Sequence, residues 1–232
     1  MKILAIDSSG LVASAAIIED ENMVAEYTIN YKKTHSQTLL PMIQEIVQMT
    51  DTDLATIDAI AVAGGPGSFT GLRIGSATAR GIGLALDKPL ISVPTVDGLA
   101  YNLYGTDKII CPVMDAKRNQ VYTGLYEFQG SEFHVIEQQM AVSIDEIIGK
   151  INEIGRPVIF VGDGISVFAN QIANQIAVEY FFAPAHLNKQ RAATVGTLAK
   201  SYLLENKIES ALEHKPDYKR LTQTDRVRLE KK

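Results

Sequence analysis

The stretch Ala61-Val-Ala-Gly-Gly-Pro-Gly-Ser-Phe-Thr-Gly-Leu-Arg-Ile-Gly75 starts as an apolar strand, turns through Gly-Gly-Pro-Gly and enters a pattern of helical period. Reading outward, the apolar residues predict a strand over 59–63, a long helix over 68–86 and a strand over 90–93. Upstream lie three short β-rich segments at 2–8, 12–18 and 23–29, separated by Ser-Ser-Gly and by an acidic turn. A helix over 35–49 follows them. The order is βββαβα, then β. A second copy runs through strands at 109–115, 120–128 and, more weakly, 133–137, a helix at 143–153 and a strand at 157–162. It ends with a helical stretch at 165–177, a short strand at 178–182 and a helix at 191–205. Two such units predict two α/β lobes, 1–104 and 105–232, with a cleft between them. The last helix is free to pack back on the first lobe.

The 232 residues, 46% of them hydrophobic, suffice for one large core or two smaller ones. The first apolar run meets Asp7 too early for a signal peptide, and every later run is interrupted before it could span a membrane. A soluble, cytoplasmic chain with no membrane contact is expected. Cys111 is the only cysteine and sits in an apolar run, which excludes an internal disulfide and predicts a buried thiol. The formal net charge of −5 argues against a globally basic nucleic-acid binder, so RNA contact should be local or indirect.

The glycine-rich turn has two readings. Amides at the start of a helix can hold an anion. However, no Gly-Lys-Ser/Thr follows as in a P-loop, and Gly65-x-Gly67-x-x-Thr70 lacks the third glycine of a dinucleotide fingerprint. The other reading is a tight turn capped by Ser68. In the helix beyond it, Gly71, Gly75, Ala79 and Gly83 recur every four residues, either packed on their own sheet or offered to a partner helix. The 35–49 helix carries Leu39, Met42, Ile43 and Ile46 and a second apolar row at Leu40 and Val47, more than one sheet can cover. A partner interface is therefore expected at Leu39, Leu40, Ile43, Val47, Gly71, Leu72, Gly75, Ala79 and Gly83.

Asp7-Ser8-Ser9, closing the first strand, resembles the phosphate and metal corner of actin-like ATPases and reads equally well as a hairpin turn. Asp115 ends the matching strand of the second half. Gly162-Asp163-Gly164 either approaches an adenosine or makes a plain strand-to-helix turn. These seven residues are the candidates for a weak nucleotide cleft. No two of His35, His134, His186 and His214 have the spacing of a helical metal site, and no metal is expected. There is no Gly-x-Ser-x-Gly elbow for a serine hydrolase. The end, 215–232, carries seven Lys/Arg against three Asp/Glu and reads as a solvated, partly disordered tail.

The run 64–90, with residues 1–9, Pro112-Val-Met-Asp-Ala-Lys-Arg-Asn-Gln-Val-Tyr122 and Pro216-Asp-Tyr-Lys-Arg220, resembles the TsaB (YeaZ) family almost end to end. The resemblance implies an actin-like fold of the sugar-kinase and heat-shock-chaperone superfamily, in agreement with the duplicated order. The catalytic relative TsaD shares the glycine-rich run, but after the following strand it continues with two metal-binding histidines. Here those positions are Thr95 and Leu99, and neither side chain replaces an imidazole. The resemblance thus implies a catalytically silent subunit that needs no cofactor, binds ATP or ADP weakly at most, and pairs with TsaD. With the ATPase TsaE it would support transfer of threonylcarbamoyl from its adenylate to adenosine in tRNA. It would touch tRNA only indirectly and form a homodimer when alone. The alternative is an autonomous weak ATPase or a metallopeptidase-like enzyme of the same superfamily.

Overall fold

Strand β1 (Lys2–Asp7) is apolar on both faces, which only a central strand covered on both sides can satisfy. Ile3 and Ala5 point to one side and Leu4 and Ile6 to the other, each set into its own core cluster. The computed structural model describes residues 1–31 and 34–219 and places β1 at the centre of a five-stranded sheet. Antiparallel to β1 runs β2 (Ala13–Glu19), with β3 (Asn22–Ile29) beyond it at the edge. Parallel to β1, on its other flank, run β4 (Ala59–Gly65) and then β5 (Leu90–Pro94). Helices α1 (His35–Met49) and α2 (Phe69–Leu86) cover the Leu4/Ile6 face.

The second half repeats this plan. Strand β6 (Ile109–Pro112), continued by β7 (Met114–Asp115), lies between β8 (Gln120–Gln129) and β10 (Val158–Val161). The long β9 (Glu132–Ser143) pairs with β8, and β11 (Tyr180–Phe182) closes the other edge. Helices α4 (Ile144–Ile154) and α5 (Ile165–Gln175) pack outside. Ser143 caps α4 by accepting the Glu146 amide at 3.1 Å. Strand β9 runs past its expected end because its pairing with β8, irregular around Gly124, resumes beyond Gln138 and Gln139 and sets residues 140–143 against 120–123.

Between the sheets lie two helices that exchange lobes. The short α3 (Thr95–Tyr101), which the apolar pattern does not predict, follows β5 and buries Val96, Leu99 and Ala100 against Ile110, Tyr126 and Val161 of the second sheet. The last helix, α6 (Ala192–Leu204), packs back on the Ile3/Ala5 face of the first sheet through Ala192, Val195 and Ala199. No helix is long and apolar enough to cross a membrane among the described residues. The interface expectation needs correction. A Cβ on Gly71 would collide with the Ser8 carbonyl oxygen, one on Gly75 would stand 2.5 Å from Ser8 Oγ, and Ala79 is fully buried. Gly83 packs on Leu90, and Leu39, Ile43 and Leu72 lie in the core. The small-residue row thus lets α2 approach its own sheet, Val47 is half-buried, and only Leu40, 58% exposed, is open to a partner.

Candidate functional site

The two halves of the chain meet over a cavity of about 860 Å³. The first lobe contributes the β1–β2 turn at Ser9, Gly10 and Leu11, His35 at the head of α1, and the turn Gly67–Leu72 that opens α2. Across from these stand Met114, Asp115, Ala116, Lys117 and Tyr122 of the β7–β8 region, with Asp163 after β10. A third wall comes from Asp217, Tyr218 and Lys219, beyond α6. Of the seven cleft candidates, Ser9, Asp115 and Asp163 therefore share the cavity, whereas Asp7, Ser8, Gly162 and Gly164 stand behind its walls.

The polar groups at the β1–β2 turn bind one another. Ser9 donates from its amide (2.8 Å) and its hydroxyl (2.6 Å) to Asp7 Oδ1, and Ser8 Oγ donates to the Gly71 carbonyl at 2.9 Å. The Ser68 amide, one of the free donors expected at the start of α2, is spent on the Ser9 carbonyl at 2.7 Å. Ser68 also caps the helix, its hydroxyl accepting the Gly71 amide at 3.3 Å. The glycine-rich turn is thus clamped to the β1–β2 turn, and Gly67 is needed because a Cβ there would strike the Ser9 carbonyl. Burial pushes the Asp7 carboxyl up to about 6, against the opposing pull of its bonds from Ser9 and of His35.

On the second lobe, Asp115 accepts the Lys117 amide at 2.7 Å and its ammonium at 2.6 Å. Lys117, Arg118 and Asn119 all take left-handed backbone angles, a conformation that Asn tolerates better than Lys or Arg. Gly162, at φ +127, donates its amide to Asn188 Oδ1, and the Gly164 amide donates to the Val113 carbonyl at 2.9 Å. A Cβ at either glycine would meet the Val113 carbonyl, so both serve the close approach of β10 to the β6–β7 link. The Asp163 carboxyl is raised by burial, only partly offset by Lys189, and its Oδ1 is buried with no hydrogen-bond partner among the described residues.

The third wall went unrecognised as part of a site, although Pro216-Asp-Tyr-Lys-Arg220 stood out as a motif. Beyond α6, Glu209 bridges Leu90 at the edge of the first sheet, and Arg80 on α2 donates from Nε to the Ala211 carbonyl at 2.9 Å. The Asp217 amide then donates to the Gly64 carbonyl at 2.7 Å, and its carboxylate accepts from Gln139 of β9 at 3.3 Å. Tyr218 packs on Phe69 with 5.0 Å between ring centroids, and Arg73 reaches its hydroxyl at 3.3 Å. Arg220 and the rest of the basic tail to residue 232 lie outside the described residues.

The two positions where the resemblance sets metal ligands in TsaD are otherwise engaged. Thr95 Oγ1 accepts the Gly65 amide at 3.2 Å, and Leu99 is 1% exposed within the core between α3 and the second sheet. Asp97, on the same short helix, accepts the Tyr126 hydroxyl at 2.7 Å, and burial raises its carboxyl to about 6. No group of three or more His, Cys, Asp or Glu suited to a metal ion occurs among the described residues. Burial pushes the Cys111 thiol up to about 12, the behaviour of an inert core cysteine.

Residues 22–225 match the family model described as "TsaD: tRNA N6-adenosine threonylcarbamoyltransferase". Over 97% of its length the chain is 31% identical to the tRNA threonylcarbamoyladenosine biosynthesis protein TsaB of Bacillus subtilis, covering 96% of that protein. The Escherichia coli protein of the same name is 34% identical over 64% of each chain. Among solved structures, YeaZ from Pseudomonas aeruginosa superposes with a TM-score of 0.76 at 23% identity, covering 94% of this chain and 99% of that one. Another Pseudomonas aeruginosa structure, described as similar to peptidase YEAZ, reaches 0.81 at 23% identity over the same shares. The fold is actin-like, with the strand order of each half repeated in the other.

Proposed function

This chain belongs to the TsaB family, and on that premise we propose that it is a non-catalytic cytoplasmic subunit that binds a TsaD-type transferase. In this reading it supports transfer of threonylcarbamoyl from its adenylate to the adenosine next to the anticodon of tRNA. TsaE acts with it, and tRNA is touched only indirectly. The observation that carries the reading is the state of Thr95 and Leu99: one is bound to a backbone amide and the other sits in core, so neither can serve as a ligand. Catalysis is assigned to the partner.

The contact with TsaD, or with a second copy of this chain when TsaD is absent, is placed on the outer faces of α1 and α2. There Leu40 and Leu84 are 58% and 53% exposed. Ala77, Gly81 and Ala85 are also exposed at intervals of four residues on α2, and a Cβ on Gly81 would meet nothing within 4 Å. Glycine in an exposed helix costs about 1 kcal/mol against alanine. Among the described residues nothing needs Gly81, whereas a partner helix approaching closely would.

Size-exclusion chromatography of the chain mixed with its own organism's TsaD tests this. Wild type should co-elute with TsaD, and Gly81→Leu should stay folded yet elute alone, with modification of tRNA lost in the reconstituted mixture. Threonylcarbamoyladenosine formed by this chain without TsaD, or an undiminished complex with Gly81→Leu, would refute the corresponding half of the proposal.

A further inference from the structure

A second cavity, of about 350 Å³, shares no lining residue with the interlobe cleft. The β2–β3 turn, the end of α3 and the start of α6 enclose it. Its volume lies at the small end of the roughly 300–1,000 Å³ typical of ligand sites, which suits a compact metabolite.

The polar groups on its walls have bonding capacity left over, of both kinds. Arg191 donates to Glu26 from Nε at 2.9 Å and from Nη2 at 2.5 Å, spending two of its five N–H groups. The other three have no partner among the described residues. Glu26 also accepts the Ala193 amide at 3.0 Å, so the guanidinium is held in place, and a fixed planar fork matches a carboxylate. The Tyr101 hydroxyl is a further donor with no partner among the described residues. Burial, with Tyr104 and Glu21 adding to it, raises its pKa and keeps it protonated.

The remaining groups are acceptors. Thr194 and Thr197, one turn apart, spend their hydroxyl protons on the Arg191 and Ala193 carbonyls at 2.9 and 2.8 Å and keep only lone pairs. Asn102 spends its Nδ2 on the Leu187 and Lys189 carbonyls, which leaves Oδ1 buried with no donor among the described residues. Such an acceptor is costly until an N–H group reaches it. Asp20 and Glu21 stand at the rim, paired with the Met1 amine and with Lys200. Every charge at the cavity thus has a counter-charge, and nothing is left to attract a simple ion. Spare donors and spare acceptors beside the apolar Ile18 and Met23 suit a zwitterion with an apolar body.

We propose that this cavity binds a free amino acid with an aliphatic side chain. Its carboxylate lies on the free edge of Arg191 and the Tyr101 hydroxyl, its ammonium on the acceptors of Asn102 and the two threonines, and its side chain on Ile18 and Met23. None of this depends on TsaD being the partner.

Titration of the isotopically labelled full-length chain with leucine, followed through its amide NMR shifts, tests the site. Leucine should shift residues 20–23, 101–102 and 191–197 saturably, with half-saturation on the order of 1 mM. Isoamylamine, which lacks the carboxylate, and isocaproate, which lacks the ammonium, should each bind about tenfold more weakly, because each leaves one set of groups unmatched. Thr197→Met places bulk in the cavity and should abolish the shifts. Tyr101→Phe removes only a hydroxyl that bonds nothing among the described residues, and so spares the fold. It should weaken leucine about tenfold and leave isoamylamine unchanged. No saturable shift at about 20 mM leucine, equal binding of either truncated analogue, or undiminished binding in Tyr101→Phe overturns the proposal.

Discussion

Ser8 and Ser9 decide what two glycines on α2 are for. A Cβ on Gly75 would stand 2.5 Å from Ser8 Oγ, whereas one on Gly81 enters open space. Gly75→Ala should therefore cost about 1–3 kcal/mol through overpacking. Gly81→Ala should instead stabilise the fold by up to about 1 kcal/mol. Urea unfolding of the two variants checks both signs. A period of four flags small residues but not the side of the helix that is covered, so the sequence could not tell these two glycines apart in role. Asp97 offers a second residue-level test. Its carboxyl is raised to about 6 by burial, so between the unfolded value and 6 the folded state holds the proton more tightly. Its contribution is most favourable at low pH and is lost as pH rises through that window. Asp97→Asn can still accept the Tyr126 hydroxyl and removes the titration. The stability of the variant relative to wild type should therefore rise by roughly 2 kcal/mol between pH of about 4 and about 7.

Helix α6 shows how an element can be legible while its position is not. Its apolar pattern marks residues 191–205 as a helix, yet nothing local says which sheet receives it. The structure supplies the reason from the far end of the chain. Arg191 offers no side-chain cap; instead Ser14 Oγ accepts the Ala192 amide at 2.9 Å, and Glu26 Oε1 accepts the Ala193 amide at 3.0 Å. Glu26 also takes a double hydrogen bond from Arg191. Two residues of the first meander thus cap a helix more than 160 positions away. Glu26→Ala strands both the Ala193 amide and the Arg191 guanidinium, and should cost about 2 kcal/mol. Hydrogen exchange should localise that loss to the first turn of α6. The opposite failure is α3, only seven residues long, whose Asp97 and Gly98 interrupt any apolar stripe. It is a helix because β8 and the second sheet cover it, with Tyr126 satisfying Asp97.

Taken whole, the molecule sets two similar sheets on either side of a cleft, and the polar groups at that cleft and behind its walls are bonded to one another. Phosphoryl transfer depends on charges and donors preorganised around the phosphates, with Mg²⁺ bridging them. Here Asp7 binds Ser9, Ser8 binds Gly71, the Ser68 amide binds the Ser9 carbonyl, and Lys117 is paired with Asp115. Removing one such stabilising contact typically costs about two to three orders of magnitude in rate. As the proposed non-catalytic subunit, the chain is expected to bind ATP or ADP weakly and not to hydrolyse them. Titration calorimetry with ATP and ADP, then phosphate release on the same sample and on Asp7→Ala, measures both. Binding should be weak, and release should equal the uncatalysed background in each protein. Sustained release that vanishes in Asp7→Ala would mean that Asp7 leaves Ser9 to act on a bound nucleotide, and the chain would then be an ATPase in its own right.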